Sequence, residues 1–230
     1  MRLMPNQGTE SQFEDTTIDR LLALPGYRYQ YGGDIERDWR EVVMTDWLRA
    51  FLQKKYPKLP TDALEEAIVK ASHPEGVTTE QRNKNFHALL TRGFEQKYRK
   101  PDGTETFEHI YLVEWDKDKW ADNDFCIVNQ LTIRGANDRR PDIIIYLNGF
   151  PIVLFELKNP YEEEPNTLGA FNQVQHYKAG ISQLFDYNAL VVVSDGGMVG
   201  HADDDTPHAV GSTLPLCRGM AGLVGRITVP

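Results

Sequence analysis

Residues 139–159 read RRPDIIIYLNGFPIVLFELKN, and this stretch restricts the fold more than any other. Residues 143–147 and 150–155 are apolar runs rich in β-branched and aromatic side chains, separated by Asn148-Gly149. Asn and Gly tolerate positive φ better than other residues, so an Asn-Gly pair between two such runs predicts a hairpin of adjacent antiparallel strands. The runs are apolar at successive positions, not alternate ones. Strands of that kind are covered on both faces, which places the pair centrally in a sheet.

Asp142 opens this hairpin, and Glu156 and Lys158 close it. Charges beside a buried sheet need a partner or a metal, because desolvating them alone is costly. Glu156 and Lys158 stand two apart on one strand and share a face. The position of Asp142 depends on register. A two-residue loop sets Leu147 against Phe150 and Asp142 against Phe155, leaving the carboxylates on opposite faces. A three-residue loop, or a bulge near Pro151, shifts the ladder by one and brings all three side chains together. Pro151 has no N–H to give to a ladder, which favours an irregularity there. In that arrangement two carboxylates converge, and a hard cation with oxygen ligands, magnesium above all, relieves their repulsion. Lys158 would then orient an attacking water or offset charge on a scissile phosphate.

Pro141-Asp142 followed by Glu156-x-Lys158 has the spelling of the PD-(D/E)xK nuclease motif, and longer segments agree with it. NDFCIVNQLTIRG (123–135), RRPDIIIYLNGFPIVLFELKNP (139–160), AFNQVQHYKAGISQLFDYN (170–188) and VVVSDG (191–196) resemble the amino-terminal endonuclease domain of the restriction (R) subunit of type I restriction-modification enzymes. The resemblance runs from about residue 13 to about residue 200. It implies an α/β, restriction-endonuclease-like fold with a central mixed β-sheet flanked by helices. It also implies magnesium-dependent cleavage of double-stranded DNA, with Asp142, Glu156 and the main-chain carbonyl of Leu157 as metal ligands and Lys158 assisting hydrolysis. A Gln-x-x-x-Tyr motif lies beside the nuclease centre in that family, which here is Gln173 and Tyr177; by periodicity alone Tyr177 is a core aromatic. Many nucleases of this fold place an acid on the opening helix, which allows Glu14 a role at the metal, though an early Glu also complements the helix dipole. The implied partners are DNA and the modification (methyltransferase) and specificity subunits. An ATP-driven translocase follows the nuclease in the family's polypeptide. The present chain contains no G-x-x-x-x-G-K-[ST] loop, so it offers ATP no recognisable site.

A formal net charge of -9 excludes a broadly basic DNA-coating surface and leaves only local patches. Arg134, Arg139 and Arg140 form such a patch ahead of Asp142, where a phosphate backbone would approach; a solvated loop with ordinary charges accounts for them equally well. Cys126 and Cys217 give no disulfide framework. The chain shows neither a signal peptide nor an apolar run near the roughly 18 residues of a membrane span, and the cytoplasm is the expected location.

Periodicity predicts helices over 13–24, 41–55 and 168–185, with capping boxes at Asp62-x-x-Glu65 and Thr78-x-x-Gln81 opening two more. Strands are expected over 107–115, 125–134 and 188–194, the first two joining the hairpin to give four strands in succession. Residues 27–31, YRYQY, read as a strand or as a stacking surface for bases. His73, His87 and His109 have no metal-site spacing and read as structural. The expected organisation is a loose end (1–12), a nuclease domain (13–200) and a poorly packed tail (201–230) of the kind a truncated or frame-shifted gene gives. Two other readings of function follow: a catalytically silent fragment that only docks on the methyltransferase core, and acids that merely form a structural salt-bridge network with Lys158 and the arginines.

Overall fold

The computed structural model describes residues 10–157 and 167–194. In chain order the elements are helix α1 (Glu10–Leu22), strand β1 (Tyr27–Tyr31), helices α2 (Thr45–Lys55), α3 (Thr61–Ser72) and α4 (Thr79–Arg92), strands β2 (Phe94–Arg99), β3 (Glu105–Ile110), β4 (Phe125–Asn129), β5 (Ile143–Leu147) and β6 (Phe150–Leu157), helix α5 (Thr167–Gly180) and strand β7 (Leu190–Ser194). A five-stranded sheet of order β1-β4-β5-β6-β7 lies at the centre. Strands β4, β5 and β6 form an antiparallel meander, while β1 joins β4 and β7 joins β6 in parallel. Every residue of the three middle strands is buried, which is what their unbroken apolar runs require. With α1 packed on β1, β4 and β6, and α5 on β6 and β7, the fold is a mixed α/β, restriction-endonuclease-like architecture.

The hairpin register combines both features weighed from the sequence. Leu147 pairs with Phe150, so the turn has two residues, with Asn148 at φ 50° and Gly149 at φ 91°. Tyr146 pairs with Pro151, but the next rung joins Ile145 to Val153. Ile152 is therefore an extra residue, a bulge beside the proline. Its carbonyl accepts hydrogen bonds from Ala189 N (2.8 Å) and Asn188 Nδ2 (3.2 Å), so the segment entering β7 holds the bulge. Below it Ile143 pairs with Phe155, and continuing the ladder one step sets Asp142 across from Glu156. A two-residue turn thus does not send the carboxylates to opposite faces, because the bulge restores the lost step.

The turn itself is buried. Asn148 is 0% exposed; its Nδ2 donates to the Leu112 carbonyl (3.0 Å) and Asn123 Oδ1 (2.9 Å), and its Oδ1 accepts from Asp124 N (2.7 Å). Met44 N donates to the Gly149 carbonyl at 2.8 Å, and a Cβ on Gly149 would stand 2.5 Å from the Met44 carbonyl oxygen. Only glycine fits there.

Several boundaries differ from expectation. Helix α1 starts at Glu10, and α2 starts at Thr45 because residues 41–44 run irregularly to meet the turn through Met44. Asp62 does not cap α3: Pro60 occupies the cap position without a side-chain bond, and Glu65 takes Arg49 (2.7 and 2.9 Å) instead. Thr78 does cap α4, accepting from Gln81 N. Strand β3 pairs only with β2, a strand the sequence reading missed, so it lies outside the central sheet; β1 takes the edge position beside β4. Strand β4 ends at Asn129 because Gln130 turns left-handed (φ 53°). Helix α5 stops at Gly180, and a 3-10 turn, Ser182–Asp186, continues to Phe185. Strand β7 has buried Val191 and Val193 alternating with half-buried neighbours, as an edge position dictates. Among the described residues no helix is long and apolar enough to cross a membrane. The tail expected over 201–230 lies outside the described residues.

Candidate active site

The open end of the hairpin carries the acids. Asp142, half-buried, directly precedes β5, and its Oδ2 accepts from Leu157 N at 2.7 Å. Glu156, near the end of β6, is 2% exposed and accepts from the Tyr177 hydroxyl at 2.8 Å through Oε2. Tyr177 comes from α5, whose buried stripe includes Val174 and Tyr177. Its ring lies in the core as periodicity demands, while its hydroxyl reaches the acid. Burial raises the phenol's pKa above its ordinary value, and the charge of Glu156 adds to the rise, so Tyr177 stays a donor. One turn back, Gln173 Nε2 approaches the same hydroxyl at 3.4 Å. Lys158 lies outside the described residues.

Glu14 of α1 is also buried. Its two oxygens accept from Asn129 Nδ2 (2.7 Å) and Gln130 Nε2 (2.8 Å). The Tyr29 hydroxyl donates to Asn129 Oδ1 (2.9 Å), and Gln130 N donates to the Asp142 carbonyl (3.0 Å). Asn129 and Gln130 were hidden in the sequence inside an expected strand; the only signal was two amides ending the apolar run FCIV. Among the described residues no group of three or more His, Cys, Asp or Glu side chains could hold a metal ion, so Glu14 is not gathered with Asp142 and Glu156 into such a cluster. The donor set on the hairpin is two carboxylates on facing strands. All-oxygen ligation by one or two carboxylates, completed by main chain and water, fits magnesium and not a soft or imidazole-seeking metal.

The arginines sit on the loop between β4 and β5, which folds on itself through a bridge between Ile133 and Arg139. Arg134 stacks over Trp39 (4.8 Å to the ring centre) and pairs with Asp138 at 3.4 Å; Arg140 is exposed, and Arg139 is half-buried. This loop presses on the end of α5: Asn137 N donates to the Gly180 carbonyl (3.3 Å), Gln183 Nε2 donates to the Arg134 carbonyl (2.8 Å), and a Cβ on Gly135 would stand 2.1 Å from the Gly180 carbonyl oxygen. His73, His87 and His109 each bond a main-chain carbonyl, in keeping with structural roles. Cys126 is buried and free, its thiol pushed up to about 12 by burial.

Residues 7–206 match the family model described as type I restriction enzyme R protein N terminus. The chain belongs to that family. It is 37% identical over 197 residues to the type I restriction enzyme HindI endonuclease subunit of Haemophilus influenzae, a match covering 81% of this chain and 18% of the relative. The SauCOLORF180P endonuclease subunit of Staphylococcus aureus is 35% identical over 88 residues, 38% of this chain and 9% of that protein. The chain therefore spans less than a fifth of the length of the R-subunit relatives it matches.

Proposed function

We propose that this chain is the nuclease domain of a type I restriction endonuclease subunit and that it hydrolyses phosphodiester bonds of double-stranded DNA with magnesium. The observation that carries this reading is the bulge at Ile152, which sets Asp142 across from Glu156 at the open end of the hairpin. Asp142, Glu156 and the main-chain carbonyl of Leu157 would hold the ion. When bound, magnesium polarises a phosphoryl oxygen and acidifies a water. The protein's own contribution is orientation. Leu157 N fixes Asp142, and the Tyr177 hydroxyl, steadied by Gln173, fixes Glu156. Lys158 orients the attacking water or offsets charge on the phosphate, and Arg134, Arg139 and Arg140 contact the DNA backbone. Glu14 adds negative charge near the ion.

The remainder of the full-length enzyme supplies ATP-driven translocation, and the modification and specificity subunits are the partners in the assembly, the latter choosing the DNA sequence. The cytoplasm is the compartment where these meet. Calorimetric titration of magnesium or manganese into the parent chain and Asp142→Ala tests the metal assignment: heat of binding in the parent and none in the variant is expected, and equal heats reject it. Magnesium-dependent nicking of supercoiled plasmid, absent in Lys158→Ala, is the expected activity. Metal binding with identical background nicking from both proteins would instead favour the silent docking module.

A further inference from the structure

We propose that Gln130 is a positioning residue: with Asn129 it clamps the Glu14 carboxylate beside the Asp142 strand end so that its charge strengthens divalent-cation binding there. The proposal rests on the metal-dependent reading above. Consecutive residues of a regular strand point to opposite faces. Asn129 and Gln130 nevertheless reach the same carboxylate, one amide to each oxygen, at 2.7 and 2.8 Å. What makes this possible is the left-handed backbone of Gln130 at φ 53°. A side chain in that conformation is strained, and such strain persists where surrounding contacts enforce it, often at functional sites.

Here the contacts are specific. The Gln130 main-chain N–H donates to the Asp142 carbonyl at 3.0 Å, so one residue joins the helix acid to the strand that delivers Asp142. Asn129 is held in turn by the Tyr29 hydroxyl on Oδ1, which leaves Nδ2 for Glu14. Both donors are neutral. None of the ion pairs among the described residues involves Glu14. A lysine or arginine in place of either amide would orient the acid equally well but cancel the charge a cation senses. Amides orient it and leave the charge intact. On this proposal Glu14, held by the two amides, acts on the ion through its charge.

The experiment is a double-mutant cycle read by manganese titration, with thermal unfolding of the metal-free proteins alongside. Gln130→Gly accepts φ 53° without strain and keeps the main-chain N–H, removing only the amide clamp. Its unfolding midpoint should fall by a few degrees at most, the lost bond to Glu14 being partly offset by relief of the left-handed backbone, while the affinity of the folded protein for manganese falls about tenfold. Glu14→Gln should lose a similar amount, and the double variant no more than Glu14→Gln alone, because Gln130 acts through Glu14. Gln130→Asn tolerates the same backbone with a shorter reach and serves as the second variant if the glycine form does not fold. Parent-like affinity in the Gln130 variants, with binding lost in Asp142→Ala, overturns the clamp alone; additive losses overturn its action through Glu14. Absence of binding by the parent overturns the metal reading and the clamp together.

Discussion

At the turn end of the β5–β6 hairpin a buried side chain, Asn148, is neutral and every hydrogen bond it makes goes to the protein's own main chain or to another amide. At the open end the polar side chains are acids, Glu156 and Glu14 buried and Asp142 half-buried, and the donors to them include an amide N–H, a phenol and two side-chain amides. Both ends hold polar groups away from water, but the first arrangement is built from neutral amides and the second from carboxylates. The difference separates what the two strands do for folding from the chemistry proposed for their open end. Stability is expected to depend on the neutral end, and ligand response on the charged one.

The largest expected effect is at the turn. Asn148→Ala strands Asp124 N and the Leu112 carbonyl without partners and puts a Cβ-only residue at positive φ, for a loss of about 3 kcal/mol in urea denaturation. A loss below about 1 kcal/mol would remove the contrast. At the open end the expected effect appears only with metal: saturating manganese at a hundredfold excess over its dissociation constant should stabilise the parent by about 2.7 kcal/mol. That increment should survive in Asn148→Ala and vanish in Asp142→Asn; its survival in both would break the division between the ends. Tyr177→Phe removes a donor from a buried carboxylate and should cost about 1.5–2 kcal/mol at neutral pH, measured the same way.

The smallest effect concerns the bulge between the two ends. Asn188, which helps to hold Ile152, offers its own carbonyl to Asn83 Nδ2 (2.8 Å) and His87 Nε2 (3.2 Å). Burial lowers the His87 pKa below its ordinary 6.5. A depressed folded value means that the stabilisation is fully present above pH 6.5 and is lost as pH falls through the folded pKa. Unfolding midpoints of parent and His87→Gln compared between pH 7.5 and 5 should show a smaller acid-induced drop in the variant, and equal drops would refute the assignment.

The hairpin was legible because its signals are local: Asn-Gly and two apolar runs need no distant partner to be read. Its register was not, because the bulge depends on Ala189 and Asn188, which follow Ile152 by more than thirty residues and capture its carbonyl. The same reason explains the failed capping box, where Glu65 has a better partner in Arg49 of another helix. Strand β2, FEQKYR, is too polar to declare itself and exists because β3 pairs with it along its whole length. Tyr177 was visible as a residue of the candidate site only through the family resemblance, since spacing on α5 places it in the core and says nothing of its hydroxyl. Glu14 stood out by its place on the first helix, whereas the amides that hold it depended on one left-handed residue.

The approach of Gly135 to Gly180 has a mechanical consequence. Two backbones meet there with no side chain between them, so the arginine loop and the helix bearing Gln173 and Tyr177 are geared together rather than cushioned. A push on the loop reaches the phenol above Glu156 as a shift of the whole helix, and a single methyl group on Gly135 would be a wedge in that gear.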